Sequence, residues 1–299
     1  MVALMRVTFL GTSGSTPTKD RNLPAVALEY EGDILLFDCG EGTQRQMMKY
    51  GVNMSKIRAI FISHMHGDHF FGIAGFLRSM GLNGRKDDLE IFVPKGYKRV
   101  MKGFIGIDMH LIGYKINIRE VRAGMIYKSD DYTVSAFRLI HSVPTYGYIF
   151  KEKDSFNFMK EKARELGLKG MMFKQLEKKR KLKVNGRLVR FEDVIKAKPG
   201  RKIVYATDTR PASTTRQLSR GADLLIHEAT YDHSLKGLAV KNMHSTVYEA
   251  AQVAKKAGVK RLVLFHVSAR YQSSAALLKE ATKTFSNTKV AEDGTRITL

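Results

Sequence analysis

Three histidines and an aspartate fall within seven residues at Ser63-His64-Met65-His66-Gly67-Asp68-His69, in a chain with nine histidines in 299 residues. Imidazole nitrogen and carboxylate oxygen are good donors to zinc and similar divalent ions. His64 and His66 follow the apolar run Ala59-Ile60-Phe61-Ile62, where alternate residues of a strand turn to one side. Asp68 and His69 begin the next turn, ahead of a helix read from Phe70, Ile73, Phe76, Leu77 and Met80. One strand, loop and helix can thus offer two pairs of ligands to two neighbouring ions. Three further ligand types stand just past apolar strands: His141 after Phe137–Ile140, Asp208 after Ile203–Ala206, and His266 after Leu262–Phe265. Ends of different strands can converge on one edge of a sheet.

The elements that must position these residues alternate between strand and helix. Strands are expected at Asp33–Phe37, Ile57–Ile62, Glu90–Val93, Ile116–Val121, Tyr132–Ile140, Lys202–Ala206, Leu224–Ile226 and Arg261–Phe265. Such alternation points to α/β layers. With 43% apolar residues the chain can bury a proper core. No run of ~20 uncharged apolar residues predicts a membrane span. The lone Cys39 forms no internal disulfide and reads as a small packed residue rather than a ligand. Together with an amino terminus lacking a signal-peptide pattern, it leads us to expect a cytoplasmic protein.

Charge is the strongest compositional signal. The net charge is +22, and Lys151–Lys202 alone holds 18 Lys and Arg against 7 Asp and Glu. A balance that basic suits a polyanionic partner, above all nucleic acid. Residues 151–198 also interrupt the strand–helix rhythm. A helical pattern over Phe156–Leu166 ends at Gly167, a second basic helix covers Phe173–Lys181, and Asn185-Gly186 reads as a hairpin turn. We read this segment as an arm inserted into a core of residues 1–150 and 199–299.

His-Met-His-Gly-Asp-His, with HSVP at 141–144, ATDT at 206–209 and FHVS at 265–268, resembles the metallo-β-lactamase superfamily. DCGEGTQRQ at 38–46, PTKDRN at 17–22, HEATY at 227–231, HST at 244–246 and SARY at 268–271 narrow the resemblance to tRNase Z, the endonuclease family that trims precursor-tRNA 3′ ends. It extends from residue 6 to the carboxyl terminus. The resemblance implies an αββα sandwich with two zinc ions on one edge, manganese being the alternative metal. It assigns His64, His66 and His141 to the first ion and Asp68, His69 and His266 to the second, with Asp208 bridging. Asp38 would hold the histidine loop in place.

The same resemblance implies cleavage that leaves a 3′-hydroxyl on the tRNA and a 5′-phosphate on the trailer. Asp68 is then the candidate to hold or deprotonate the nucleophile. His244 is the candidate general acid; it precedes Thr246 and Glu249, which have capping-box spacing. Glu228 is the candidate carboxylate that orients His244. Lys19, Arg21 and Asn22 of the PTKDRN loop are candidate RNA contacts, as is Arg270, which follows His266 closely. In the family this loop senses the nucleotides after the discriminator base. His227 reads as structural, and His110 and His233 as ordinary. The family's basic arm grips tRNA, and its members act as homodimers. Here the arm departs from the family pattern: Leu166-Gly167-Leu168-Lys169-Gly170-Met171 lacks the expected Gly-Pro pair. Other hydrolases of this fold, such as thioesterases or small-molecule phosphodiesterases, share HxHxDH but lack the PxKxRN loop, the HEATY and HST pair and such an arm. A catalytically inactive RNA-binding protein with structural zinc is disfavoured by the complete ligand set.

Overall fold

Alternation along the strands sorts side chains between two environments. A computed structural model describes residues 4–106 and 112–299, so His110 lies outside the described residues. In Asp33–Phe37, Ile34 and Leu36 join Met47, Ile73, Phe76, Leu77 and Met80 in a cluster beneath helices Thr43–Lys49 and Ile73–Leu82. Phe37 turns the other way, and its ring lies 5.4 Å from Phe61, 5.8 Å from Tyr148 and 5.4 Å from Tyr205. On the second sheet Val204, Ala206, Leu262 and Leu264 pack with Val247, Ala250 and Ala254 of helix Val247–Ala257. Tyr205 and Phe265 turn inward, 5.3 Å apart. The result is four layers, helices–sheet–sheet–helices, with an aromatic seam between the sheets whose ring pairs contribute roughly 0.5–1.5 kcal/mol each beyond their burial. This is the αββα sandwich expected.

The first sheet runs, in spatial order, Arg296–Thr298, Met5–Gly11, Ala25–Tyr30, Asp33–Phe37, Ile57–Phe61, Leu89–Pro94, Ile116–Val121. Its first three pairings are antiparallel and its last three parallel. The second runs Thr288–Val290, Leu262–Phe265, Leu224–Glu228, Lys202–Ala206, Tyr146–Glu152, Tyr132–Arg138, Gly124–Lys128, and its first three pairings are parallel. Parallel strands send their carboxyl ends to the same edge. The residues following Ile57–Phe61, Lys202–Ala206 and Leu262–Phe265 are those that carry His64–His69, Asp208 and His266.

Two elements depart from the sequence reading. The helix expected from Phe70 is split into Gly67–Phe70 and Ile73–Leu82. At the break, Gly72 passes so close to Gly40 that a Cβ there would stand 2.0 Å from the Gly40 carbonyl oxygen. Phe156–Phe158, expected as helix, belong to strand Ser155–Phe158, which pairs with Ile195–Lys198. Phe156 and Phe158 alternate at strand period, and both rings meet the distant Phe191, at 4.5 and 5.8 Å.

That strand lies in a second compact unit, formed by Ser129–Tyr132 and Lys151–Arg201. Taken by itself, the unit has its own core of Ala163, Leu168, Leu176, Val184, Val189, Phe191 and Val194. Strands Lys181–Val184 and Arg187–Arg190 form a hairpin whose turn residues Asn185 and Gly186 take φ of 49° and 81°, as an Asn-Gly turn requires. Arg180 lies over the Phe191 ring at 3.7 Å and pairs with Glu192 at 2.6 Å. Among the described residues, no helix is long and apolar enough to cross a membrane.

Candidate metal centre

Four histidines of the expected set are gripped at the same ring position. His69 Nδ1–H donates to Asp38 Oδ2 at 2.8 Å. His64 Nδ1–H donates to Ser63 Oγ at 2.9 Å, and that hydroxyl donates to Asp38 Oδ2 at 2.9 Å. His266 Nδ1–H donates to Thr230 Oγ1 at 3.0 Å, which donates to Glu228 Oε2 at 2.9 Å. His141 Nδ1–H donates to the Met243 carbonyl at 3.1 Å. With Nδ1 so engaged, each Nε2 faces the cluster. Such outer bonds fix the tautomer and the ring plane of a metal-binding imidazole.

The free atoms converge in two groups. Nε2 of His64 lies 3.0 Å from Nδ1 of His66, which lies 3.4 Å from Nε2 of His141. Asp208 Oδ2 stands 3.7 Å from His64 Nε2 and 3.8 Å from His141 Nε2. On the other side Asp208 Oδ1 is 3.3 Å from His69 Nε2 and 3.2 Å from His266 Nε2. Asp68 Oδ2 lies 3.4 Å from His69 Nε2 and 3.7 Å from His266 Nε2. Ligands about 2.0–2.1 Å from a tetrahedral zinc stand roughly 3.3 Å from one another. These spacings therefore fit two metal cages that share Asp208. Among the described residues the fully buried His69 Nε2 and His266 Nε2 have no hydrogen-bond partner, which a polar atom tolerates poorly unless it has a metal to bind. Asp208 and His266 also group with His244 as a third ligand set.

The electrostatics agree with that fit. Burial, reinforced by His69, holds His64 well below the usual histidine range, and burial also lowers His66 and His141. Neutral imidazole is the form that binds metal. Burial alone would raise Asp208, but His266, His69 and His64 hold it well below the carboxylate range. His69 is opposed by burial, yet Asp68, Asp208 and Asp38 push it well above its usual value. The carboxylates thus impose a field that favours a cation at the cluster.

Beside the cages stands His244. Its Nδ1–H donates to Glu228 Oε1 at 2.9 Å, and Nε2 makes no hydrogen bond among the described residues. Burial works against its charge, but Glu228 overrides that and pushes the imidazole up to about 9. Glu228 is fully buried and also accepts from the amides of Thr209, Thr230 and Ser245. The peptide of His244 is held in turn. Thr246 and Glu249 close the expected capping box, and Arg210 binds both Glu249 and the His244 carbonyl. His227 is buried in its strand with Nδ1–H on the Glu228 carbonyl, and His233 caps against Thr246 Oγ1 at 3.0 Å. Neither joins the ligand groups found among the described residues.

The expected RNA contacts divide. Lys19 is exposed, and its ammonium group makes no ion pair among the described residues. Arg270 is exposed, with Nε on Ser268 Oγ at 3.1 Å and its guanidinium over the Tyr231 ring at 5.0 Å. Arg21 is a correction. Only 8% of it is exposed, and its guanidinium donates to Thr12 Oγ1, the Ala291 carbonyl and Ser274 Oγ at 2.6–2.7 Å. A guanidinium so fully engaged is an anchor for the loop rather than a hand held out to phosphate. Asn22 donates from Nδ2 to the Glu41 carbonyl at 2.8 Å and so ties the two glycine-bearing loops together. Residues missed from sequence are the hydroxyls that relay to the histidines, Ser63 and Thr230, and Tyr205, which donates to Asp38 at 2.7 Å. Ser63 opens the quoted histidine stretch and Thr230 lies within HEATY, which was the available signal.

Comparison with known proteins places these features. The family profile described as Anti-Pycsar protein Apyc1 matches residues 5–160, the stretch carrying His64, His66, Asp68, His69 and His141. A Beta-lactamase superfamily domain profile matches residues 178–267. A protein named Ribonuclease Z from Methanothermobacter thermautotrophicus is 43% identical over 97% of this chain and 95% of its own length. Another, from Methanosarcina mazei, is 42% identical over 97% of this chain and 96% of its own. Among solved structures, the short form of human tRNase Z superposes with a TM-score of 0.69 at 29% identity and covers 98% of both chains. End-to-end identity at this level reaches across both the ligand clusters and the basic segment between them, and it places the chain in the ribonuclease Z family of the beta-lactamase superfamily.

Proposed function

We propose that the protein is a metal-dependent endoribonuclease that removes the 3′ trailer from precursor tRNA. The observation that carries the chemistry is the pair of ligand cages joined through Asp208, with the Glu228–His244 pair beside them, and the RNA substrate follows from the ribonuclease Z relatives. His64, His66, His141 and Asp208 would hold one ion, and Asp68, His69, His266 and Asp208 the other. Nitrogen and carboxylate donors of this kind suit two zinc ions, with manganese as the alternative. Bound there, the ions supply positive charge to the phosphate and lower the pKa of a water.

The chain's own residues do the rest. Asp68 is placed to take the proton of the attacking water. The water oxygen joins phosphorus as the bond from phosphorus to the 3′ oxygen breaks. His244, kept protonated by Glu228 through Nδ1, delivers its Nε2 proton to that departing oxygen. The tRNA leaves with a 3′-hydroxyl and the trailer with a 5′-phosphate. Lys19 and Arg270 contact the RNA near the cut, and the basic unit around residues 151–201 binds tRNA phosphates. By resemblance to tRNase Z, the working form is a cytoplasmic homodimer.

Incubated with a precursor tRNA bearing a 3′ trailer, the purified protein should make one cut just after the discriminator base, lost with chelator and restored by zinc. Failure to cut with metal bound would move the reading to small-molecule hydrolysis. His244→Ala should lower kcat on that substrate by about 10²–10⁴-fold, with the Kd for precursor tRNA little changed. Binding that fell as far as turnover would contradict the role as proton donor. Replacing residues 154–199 by a short glycine–serine linker should weaken precursor binding at least ~10-fold and flatten its salt dependence, while hydrolysis of a small phosphodiester persists. Equal loss of small-substrate hydrolysis would make that unit a structural one.

A further inference from the structure

The loop from Thr12 to Asn22 touches the metal centre at two points. Ser15, at φ 62°, donates its backbone N–H to Asp68 Oδ2 at 2.9 Å. Gly14 lies so close to His266 that a Cβ there would stand 2.8 Å from ring atoms Cε1 and Nδ1. Ser13 and Gly14 pair in parallel with Val267 and Ser268, just past that histidine. The loop that carries Lys19 outward therefore also sets the aim of the Asp68 carboxylate.

The loop is held from the far end of the chain. Asp293 accepts from Thr12 Oγ1 at 2.8 Å, from the Asn22 amide at 2.7 Å and from Gln46 Nε2 at 2.6 Å. Gln46 Nε2 donates also to the Leu10 carbonyl at 2.7 Å. One carboxylate thus gathers both ends of the loop and the helix beginning at Thr43. Arg21 closes the same knot, since its Nη1 donates to Thr12 Oγ1 and to the Ala291 carbonyl two residues before Asp293. Two charge-assisted bonds at the two loop ends restrict it far more than either would alone.

We propose that Asp293 is a positioning residue for phosphodiester cleavage: through the Thr12–Asn22 loop it keeps the Ser15 amide on Asp68 and so holds that carboxylate in register with the metal centre. The proposal rests on the reading of Asp68 given above. Asp293 belongs to none of the ligand groups found among the described residues, so it must act through geometry, to which catalysis is sensitive.

The test compares zinc-loaded wild type, Asp293→Ala and Asp293→Asn well below their melting temperatures. An asparagine can still accept from Asn22 and Gln46 with its oxygen and donate to Thr12 Oγ1 with its amide. Asp293→Ala should lower kcat per folded molecule by about tenfold or more, on precursor tRNA and on bis(p-nitrophenyl) phosphate alike. It should also speed hydrogen exchange at the Ser15 and Asn22 amides relative to Val7 and Leu28 in the neighbouring strands. Asp293→Asn should recover most of both. A lowered melting temperature with unchanged kcat and unchanged Ser15 exchange would overturn the proposal and leave Asp293 a mere staple of the last strand. If wild type cut neither substrate, the function proposed above would fall, and the exchange measurement would still decide whether Asp293 holds the loop.

Discussion

A single buried carboxylate organises this molecule. Asp38 is wholly inaccessible, and it accepts from the Ser63 amide, the Ser63 hydroxyl, His69 Nδ1 and Tyr205 Oη at 2.7–2.9 Å. A carboxylate so far from water is tolerable only with its lone pairs filled. The four donors come from three places: the turn after strand Ile57–Phe61, the short helix Gly67–Phe70, and the inner face of strand Lys202–Ala206 in the opposite sheet. Satisfying one charge therefore fastens sheet to sheet and fixes two metal-facing imidazoles, His69 directly and His64 through Ser63. The backbone of Asp38 accepts a left-handed φ of 57° to reach this position.

Glu228 repeats the arrangement across the site. It is equally buried, sits at the end of its strand, and takes five donors. One of them, Thr230, passes the restraint to His266, and another is the proton-bearing ring of His244. The proposed metal ligand His266 and the proposed proton donor His244 thus share one rigid support. His266 and Met243, which precedes His244, also take left-handed φ values, of 57° and 59°. With Ser15, that makes four points of backbone strain around the cages, the mark of geometry held against local preference.

Much of this was open to reading from sequence. Ligand types standing just past apolar strands marked the candidates, because a strand's carboxyl end is a place the fold dictates and the pattern reveals; their division between two ions came from the resemblance to tRNase Z. The capping box at Thr246 and the Asn185-Gly186 turn were equally plain, since each is a local rule with local residues. What stayed hidden was whatever depends on partners distant in sequence. Arg21 looks like a free cation until Thr12, Ser274 and Ala291 close around it. Phe156 and Phe158 suit a helix until Phe191 and the Ile195–Lys198 strand give them a face to pack on. Nothing in the string Asp-Cys-Gly says that Tyr205, 167 residues away, will donate to that aspartate.

The direct test of the account is zinc titration of metal-free wild type and Asp38→Asn by calorimetry, with circular dichroism to confirm the fold of each. An amide cannot accept from all four donors, so the histidine loop loses its hold while the sandwich keeps its aromatic seam. Two zinc ions should bind each wild-type chain, and the variant should bind zinc about 10–100-fold more weakly with an unaltered spectrum. Unchanged affinity in a properly folded Asp38→Asn protein would contradict the claim that this buried carboxylate builds the site.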